Sequence, residues 1–418
     1  MKTTVPRPAL RALRNGLAAL TAMALAAGCT AAGYTDSDGP VKIGVVVPRS
    51  GALAAYGNGA VAGIEMVVDD INASGGIRSL GGRRIELVVG DSASKPNDAA
   101  HEARRMIDKE GVSAILGPIS STEASATAAV TERARMPVIA METTGVYGDR
   151  SFYIVSVEAT QMGAAYGDFV DHLVDDQGED LETVVITYPQ NDYGKAASAA
   201  ADKRLTALGY VVKDSIAVDP QTDDYTPTML RVRAADPDVV VSALYDRDGI
   251  LFHQARYNLQ YDKPVFLCGI GGCDDPGVWE ALGPRAARAT LAHRTVSESL
   301  FNPSAGLPGL QKLLAEAKGR TDVPLDQHFV IGAQTARIVQ AALEEAGSAR
   351  PQDVNAAMSR VRIAPGSAYH YLPTAPDGIA YKDGSIKGAQ PVFNQWKENG
   401  TRVIVYPPLL AGREPDLD

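Results

Sequence analysis

Two hydroxyl-rich segments have the residue types and spacing with the clearest chemical meaning. In AILGPISSTEAS, Ser120, Ser121 and Thr122 stand where a strand-like run gives way to a helix-like one. In VIAMETTGVYG, Thr143 and Thr144 occupy the matching place after the next strand-like run. A helix start leaves backbone N–H groups unpaired and carries a partial positive charge. Hydroxyls beside it add donors, so each segment suits an anionic group such as a carboxylate. Ordinary capping by Ser or Thr would explain either segment alone. Two of them, in adjacent loops above one sheet edge, point to ligand contact.

Enzyme chemistry finds no comparable pattern. The chain has no Gly-x-Ser-x-Gly elbow, no phosphate loop ending in Gly-Lys-Ser/Thr and no His-Glu-x-x-His. Its six histidines (101, 172, 253, 293, 328 and 370) are scattered singly, and a solvated or capping role is expected for them. Gly57-Asn58-Gly59-Ala60-Val61-Ala62 matches Gly-x-Gly-x-x-Ala formally, but nine residues separate it from Val47. A dinucleotide site needs that turn directly after the strand. The expectation is a binding protein with no catalytic residue, no metal and no cofactor.

The elements that would position the hydroxyls alternate in type. VKIGVVV (41–47), IELVV (85–89), SAIL (113–116) and PVIA (137–140) read as strands. Helical spacing of apolar residues fills the intervals, as at Val61, Ile64, Val67, Val68 and Ile71. A second set follows from about 157, with TVVIT (183–187), YVVKDSIAV (210–218), DVVVSAL (238–244) and PVFL (264–267) as strands. ATLAHRT (289–295) reads as a further strand, 326–346 as a long helix, and the end as a hairpin turning at Glu398-Asn399-Gly400. Strand–helix repetition with short loops implies α/β architecture, with parallel sheets covered by helices on both faces. Two sets imply two lobes. Each set places a Tyr-Gly pair, Tyr56-Gly57 and Tyr193-Gly194, after its first strand.

The amino end differs from the rest. Lys2, Arg7, Arg11 and Arg14 precede an apolar run, Leu17 to Ala27, and no acid occurs before Asp36. The run is too short to span a membrane, which takes about 20 apolar residues. It has the form of a secretory signal. Its end, Leu25-Ala26-Ala27-Gly28-Cys29, resembles a bacterial lipoprotein signal, in which the cysteine is lipidated and becomes the first residue; Ala26 stands where that family prefers leucine. Residues 30–40 then form a polar tether. Without residues 1–28, 36 Lys and Arg face 50 Asp and Glu, a net charge of −14. So acidic a body excludes nucleic acid and anionic membrane as partners. Cys268 and Cys273, in FLCGIGGCDD, fit a local disulfide in an oxidising compartment. A metal reading wants histidines nearby in the chain, and there are none.

From about Val41 to Val405 the sequence resembles the branched-chain amino-acid (Leu/Ile/Val) binding proteins, type I periplasmic solute-binding proteins of ABC importers. KIGVVVPRSGALAAYGNGAVAGIEMVVDDINASGGI, GVSAILGPISS, PVIAMETT, NDYG and DDYTPTMLRVRAADPDVVVSAL carry the likeness. It implies a two-lobed Venus-flytrap with three crossovers, near 155–158, 287–290 and 361–366. The implied division is signal 1–28, tether 29–40, lobe 1 from 41–156 and 289–362, and lobe 2 from 157–288 and 363–418. The implied partners are a small amino acid or related carboxylate or amide, and an importer permease. A lipidated Cys29 would hold a monomer at the outer face of the cytoplasmic membrane. A receptor reporting to a signalling partner is the other function this fold allows. Carried over residue by residue, the family's carboxylate contacts fall on Ser121 and Thr144, with Ser120 and Thr143 beside them. Its carbonyl contact to the ammonium falls on Glu142, its lid tyrosine on Tyr56, and its second-lobe contacts on Tyr193 and on Leu244 or Tyr245. The family's acidic ammonium partner aligns with Gly269-Ile270-Gly271. Ile270 cannot hold a charge, so either another acid substitutes (Glu142, Asp246, Asp248, Asp274 or Asp275) or the ligand is not a simple α-amino acid.

Overall fold

A computed structural model describes residues 39–141, 151–269, 272–408 and 410–417. Cys29, Glu142, Thr143, Thr144 and Ile270, all singled out above, lie outside the described residues.

The first five strands, β1 (Val41–Val47), β2 (Ile85–Asp91), β3 (Ile115–Leu116), β4 (Val138–Ala140) and β5 (Phe152–Ile154), form one parallel sheet in the order β2-β1-β3-β4-β5. β1 is buried almost throughout, as expected of a strand covered on both faces. The helix Ala54–Ala73 packs on the helix Gln327–Ala346 so tightly that a Cβ on Gly63 would meet the Phe329 carbonyl at 2.1 Å.

A second, seven-stranded sheet has the order β15-β14-β10-β9-β8-β6-β7. Its strands are β6 (Thr183–Pro189), β7 (Val211–Val218), β8 (Val239–Ser242), β9 (Val265–Cys268), β10 (Thr295–Ser299), β14 (Val392–Trp396) and β15 (Arg402–Tyr406). β6 to β10 are parallel, while β14 and β15 form the expected antiparallel hairpin and complete the edge. Between them in sequence, β11 (Arg362–Ile363), β12 (Ile379–Lys382) and β13 (Ser385–Ile386) make a small antiparallel sheet. It meets the first sheet where the Ile154 N–H donates to the Gly384 carbonyl at 2.8 Å. This is the two-lobed α/β architecture expected.

Two segments differ from expectation. Residues 289–295 are not a strand; the helix Pro276–Leu291 runs into them, and the strand is Thr295–Ser299. That strand lies between β9 and β14, so chain expected in lobe 1 sits inside the seven-stranded sheet. Likewise 363–386, expected in lobe 2, forms the small sheet that meets β5. β10 escaped notice because Thr295, Ser297 and Ser299 are polar yet fully buried. Their hydroxyls bond inside: Ser299 to Asp274 at 2.6 Å, and Ser297 to the Cys273 sulfur at 3.0 Å.

The repeated Tyr-Gly pairs have one physical cause. Each helix begins against the proline that ends or follows the preceding strand. A Cβ on Gly57 would lie 1.8 Å from the Pro48 carbonyl oxygen, and one on Gly194 would lie 2.1 Å from that of Pro189. Only glycine allows this approach, which turns Tyr56 and Tyr193 toward the space between the sheets. Gly57→Ala and Gly194→Ala are each expected to cost about 1–3 kcal/mol, read as a lower urea midpoint with unchanged slope.

Candidate functional site

Carboxyl ends of parallel strands feed helix starts, and here several converge. The helices Ala54–Ala73, Ser121–Ala134, Asp192–Leu208, Asp246–Asn258 and Gln327–Ala346 all bring residues of their first turn to one cleft. The cleft comprises a cavity of about 360 Å³ and a smaller chamber of about 50 Å³ that share Leu53, Tyr56, Ser120, Ser121, Tyr193 and Tyr245 in their walls. Ser120 and Ser121 face Tyr193, Tyr245 and Asp246 across it. Leu53, Ile119, Met141, Leu300 and Ile331 give the chamber an apolar lining. This size and mixture suit a small, partly apolar solute.

The two serines divide their work. Ser120 is the cap of the helix starting at Ser121: its hydroxyl accepts from the Glu123 N–H, and the Glu123 carboxylate accepts from the Ser120 backbone N–H at 3.3 Å, closing a capping box, with the Ser120 hydroxyl also donating to that carboxylate at 2.8 Å. Ser92 bonds the other Glu123 oxygen at 2.5 Å. Ser120 therefore holds the helix start in place, while Ser121, the first helical residue, is buried in the cleft wall.

Tyr56 lies flat on His328, with ring centroids 3.8 Å apart and planes within 17°. Its hydroxyl accepts from the Asp246 N–H at 3.5 Å, linking the helix Ala54–Ala73 to a helix of the other lobe. Tyr193 and Tyr245 are 5.5 Å apart, and Asn191 donates to the Tyr245 hydroxyl at 3.3 Å. The structure thus brings together Tyr56, Ser120, Ser121, Tyr193 and Tyr245. Leu244 is turned into the second lobe's core instead.

The acids named as substitutes for Ile270 separate clearly. Asp274 is committed to structure: it accepts from Ser299 and from Asn394, and meets buried Arg402 at 2.6 Å. Asp248 is buried beside Tyr225 and lies 3.6 Å from Arg247, and burial raises its pKa. Asp275 caps the helix Pro276–Leu291 through the Gly277 N–H. Asp246 is different. Its Oδ1 is sealed from solvent and has no hydrogen-bond partner among the described residues. Burial pushes its carboxyl up to about 7, with Asp275 and Asp326 adding to the rise and His328 opposing it.

His328, Gln327 and Asp326 were not picked out in the sequence. Gln327 and His328 line the cleft on a helix some 200 residues beyond Ser121 in the chain, and Asp326 is that helix's cap. The only available signal was Asp326 as a cap before an apolar helix. Burial pushes the His328 imidazole down, but Asp326 at 3.6 Å, with Asp246 and Asp275, outweighs it and raises the pKa. Asp326 is lowered overall, because His328 and two backbone N–H groups outweigh burial.

Four buried polar atoms on this cleft's wall have no hydrogen-bond partner among the described residues: Tyr193 Oη, Asp246 Oδ1, Gln327 Oε1 and His328 Nδ1. Sixteen buried side-chain atoms among the described residues lack a hydrogen-bond partner, and these four are grouped on the walls of one cavity, although His328 Nδ1 also faces Asp326 at 3.6 Å.

A sequence profile described as periplasmic binding protein matches residues 40–390. This chain belongs to that family. A Leu/Ile/Val-binding protein homologue from Brucella melitensis is 28% identical over 388 residues, covering 90% of this chain and 93% of the relative. A leucine-binding protein from Thermotoga maritima superposes with a TM-score of 0.73 at 23% identity, covering 87% of this chain and 97% of that one. A solute-binding protein from R. palustris, solved with 4-hydroxybenzoate, gives 0.73 at 19% identity, covering 90% and 98%. At such identities these two establish the shared fold. Members of the family bind solutes and are not enzymes.

Away from the cleft, the Cys268 and Cys273 sulfurs are 2.10 Å apart, and His253 Nε2 is 3.2 Å from Cys268 Sγ. The three form one buried cluster whose ligating atoms lie within 4.8 Å of one another. The helix Asp246–Asn258 delivers His253 to this pair from fifteen residues before Cys268. Among the described residues no helix is long and apolar enough to cross a membrane.

Proposed function

We propose that the protein captures a small carboxylate-bearing solute, an amino acid or a related carboxylate or amide, between its two lobes and presents it to an ABC importer. The observation that carries this is the group of four unpartnered polar atoms around a cleft that opens beside the helix start at Ser121. The relatives are consistent with it, being named for branched-chain amino acids or solved with an aromatic acid. The ligand's anionic end sits at Ser121 and Thr144, with Ser120, Thr143 and Glu142 around it. Tyr56, Tyr193 and Tyr245 close over its body, and Ile270 is a further contact on this reading. Because ligand touches both lobes only when they are closed, binding shifts the population toward closure, and the importer reads the closed shape.

The lobes, on this reading, are 41–154 with 300–386 and 159–299 with 392–417, joined by three crossovers between those ranges. Cys268–Cys273 is a disulfide of the exported protein. The chain is a monomer anchored through lipidated Cys29. Cys29→Ala is expected to move it from the membrane fraction to the soluble fraction, as followed by immunoblot after fractionation.

The test is a thermal-shift screen of the mature protein against α-amino acids, their amides and small aliphatic and aromatic acids. Stabilisation by one chemical class supports capture, growing with concentration as mass action requires. No stabilisation by any carboxylate would remove it. Deleting the gene and losing uptake of the same solute separates import from signalling.

A further inference from the structure

We infer that the ligand brings a positive charge as well as a carboxylate, and that Asp246 receives it. This rests on the cleft being the ligand site. Asp246 lines that cleft; its Oδ1 is closed off from solvent with no hydrogen-bond partner among the described residues, and the Tyr56 hydroxyl lies beside its carboxylate. An ionised carboxylate only accepts hydrogen bonds, so what completes it must donate.

The surrounding charges favour a cation. From the helix Gln327–Ala346 and its cap come His328 and Asp326; from the cap of Pro276–Leu291 comes Asp275; from Ala54–Ala73 comes the Tyr56 hydroxyl. On its own helix, Arg247 is turned outward to Asp223 and the Thr222 carbonyl, and Asp248 sits against Tyr225. Three carboxylates therefore surround one imidazole, and that imidazole already has Asp326 beside it. With the lobes together and no cation present, Asp246 titrates near 7. A solvated Asp titrates near about 4.

The sign of the linkage follows. Closing around a ligand without a cation leaves Asp246 in the closed cleft with the Tyr56 hydroxyl but no added positive charge, so closure takes up a proton. That closure is favoured as pH falls from 7 toward 4 and penalised above 7. Closing around an ammonium leaves Asp246 ionised and needs no proton. Ile270 can therefore stand where the family carries an acid, because the acid has moved to the start of the neighbouring helix.

Two matched pairs of probes test this in wild type and in Asp246→Asn: L-leucine with 4-methylpentanoate, and L-phenylalanine with 3-phenylpropanoate. Titration calorimetry at pH 6 and pH 8, in two buffers of different ionisation heat, reads affinity and protons together. At pH 8 the wild type is expected to prefer the amino acid of a pair by about 100-fold. That ratio should shrink about tenfold at pH 6, as the analogue binds with proton uptake. His328 affects both members alike, so the ratio isolates Asp246. In Asp246→Asn the ratio should fall below about tenfold and lose its pH dependence.

Equal binding of both members by wild type overturns the inference and leaves the cleft reading standing. So does an unchanged ratio in Asp246→Asn. If neither member of either pair binds, the cleft reading falls too. Should the variant fail to fold, the wild-type ratio and its proton uptake still decide.

Discussion

Ser121→Ala combined with Thr144→Ala is expected to leave the fold intact and abolish ligand-induced thermal stabilisation. Ligand at a hundred times its Kd stabilises a one-site protein by about 2.7 kcal/mol. Each hydroxyl to a carboxylate contributes roughly 1.5–3 kcal/mol, so losing two weakens binding at least a hundredfold and removes that effect at the same concentration. The fold survives because capping of this helix belongs to Ser120 and Glu123, not to Ser121. Ser120→Ala should show the opposite signature, a lower unfolding midpoint with ligand response retained. A double variant that still responds fully would move the anionic end of the ligand elsewhere.

Asp274→Ala is expected to destabilise the ligand-free protein by about 3–5 kcal/mol, because it strands a buried arginine. Arg402 and Asp274 are both almost wholly inaccessible and meet at 2.6 Å, and Arg402 also bonds the Asp274 main-chain carbonyl. The same carboxylate ties Ser299 on β10 to Asn394 on β14. These contacts hold the edge hairpin to the parallel strands, and Trp396 adds a 2.6 Å bond to the Cys273 carbonyl nearby. Chemical denaturation should show the loss, while the preference among solutes stays as in wild type. Asp246→Asn predicts the reverse pattern, so the pair separates an acid that builds the lobe from one that faces the ligand. Altered solute preference in Asp274→Ala would contradict this division.

Both variants bear on how far the sequence could be read. The alternation of β-rich runs with helical apolar spacing was enough for the two-lobed α/β fold, because parallel strands buried on both faces leave a plain apolar signal. β10 left no such signal, since four of its five residues, Thr295, Ser297, Glu298 and Ser299, are polar and find partners only in the folded lobe. At the cleft, Tyr56, Ser121 and Tyr193 were legible because each follows a strand end within its own repeat, while Tyr245 came only from the family resemblance, as one of two alternatives with Leu244. Gln327 and His328 were not, because the helix carrying them reaches the cleft from the far side of the second sheet's chain. Five acids stood as equals in the sequence. Burial and hydrogen-bond partners distinguish Asp246 and Asp274, and neither can be read from spacing.

The most direct measurement is a crystal structure of the protein grown with the tightest-binding solute from the screen. The expected result is that solute between the two sheets, its carboxylate within hydrogen-bond reach of Ser121 and the aromatic rings of Tyr56 and Tyr193 on either side. A solute seated outside the cleft, or one whose charged end lies away from the start of the helix Ser121–Ala134, would contradict it.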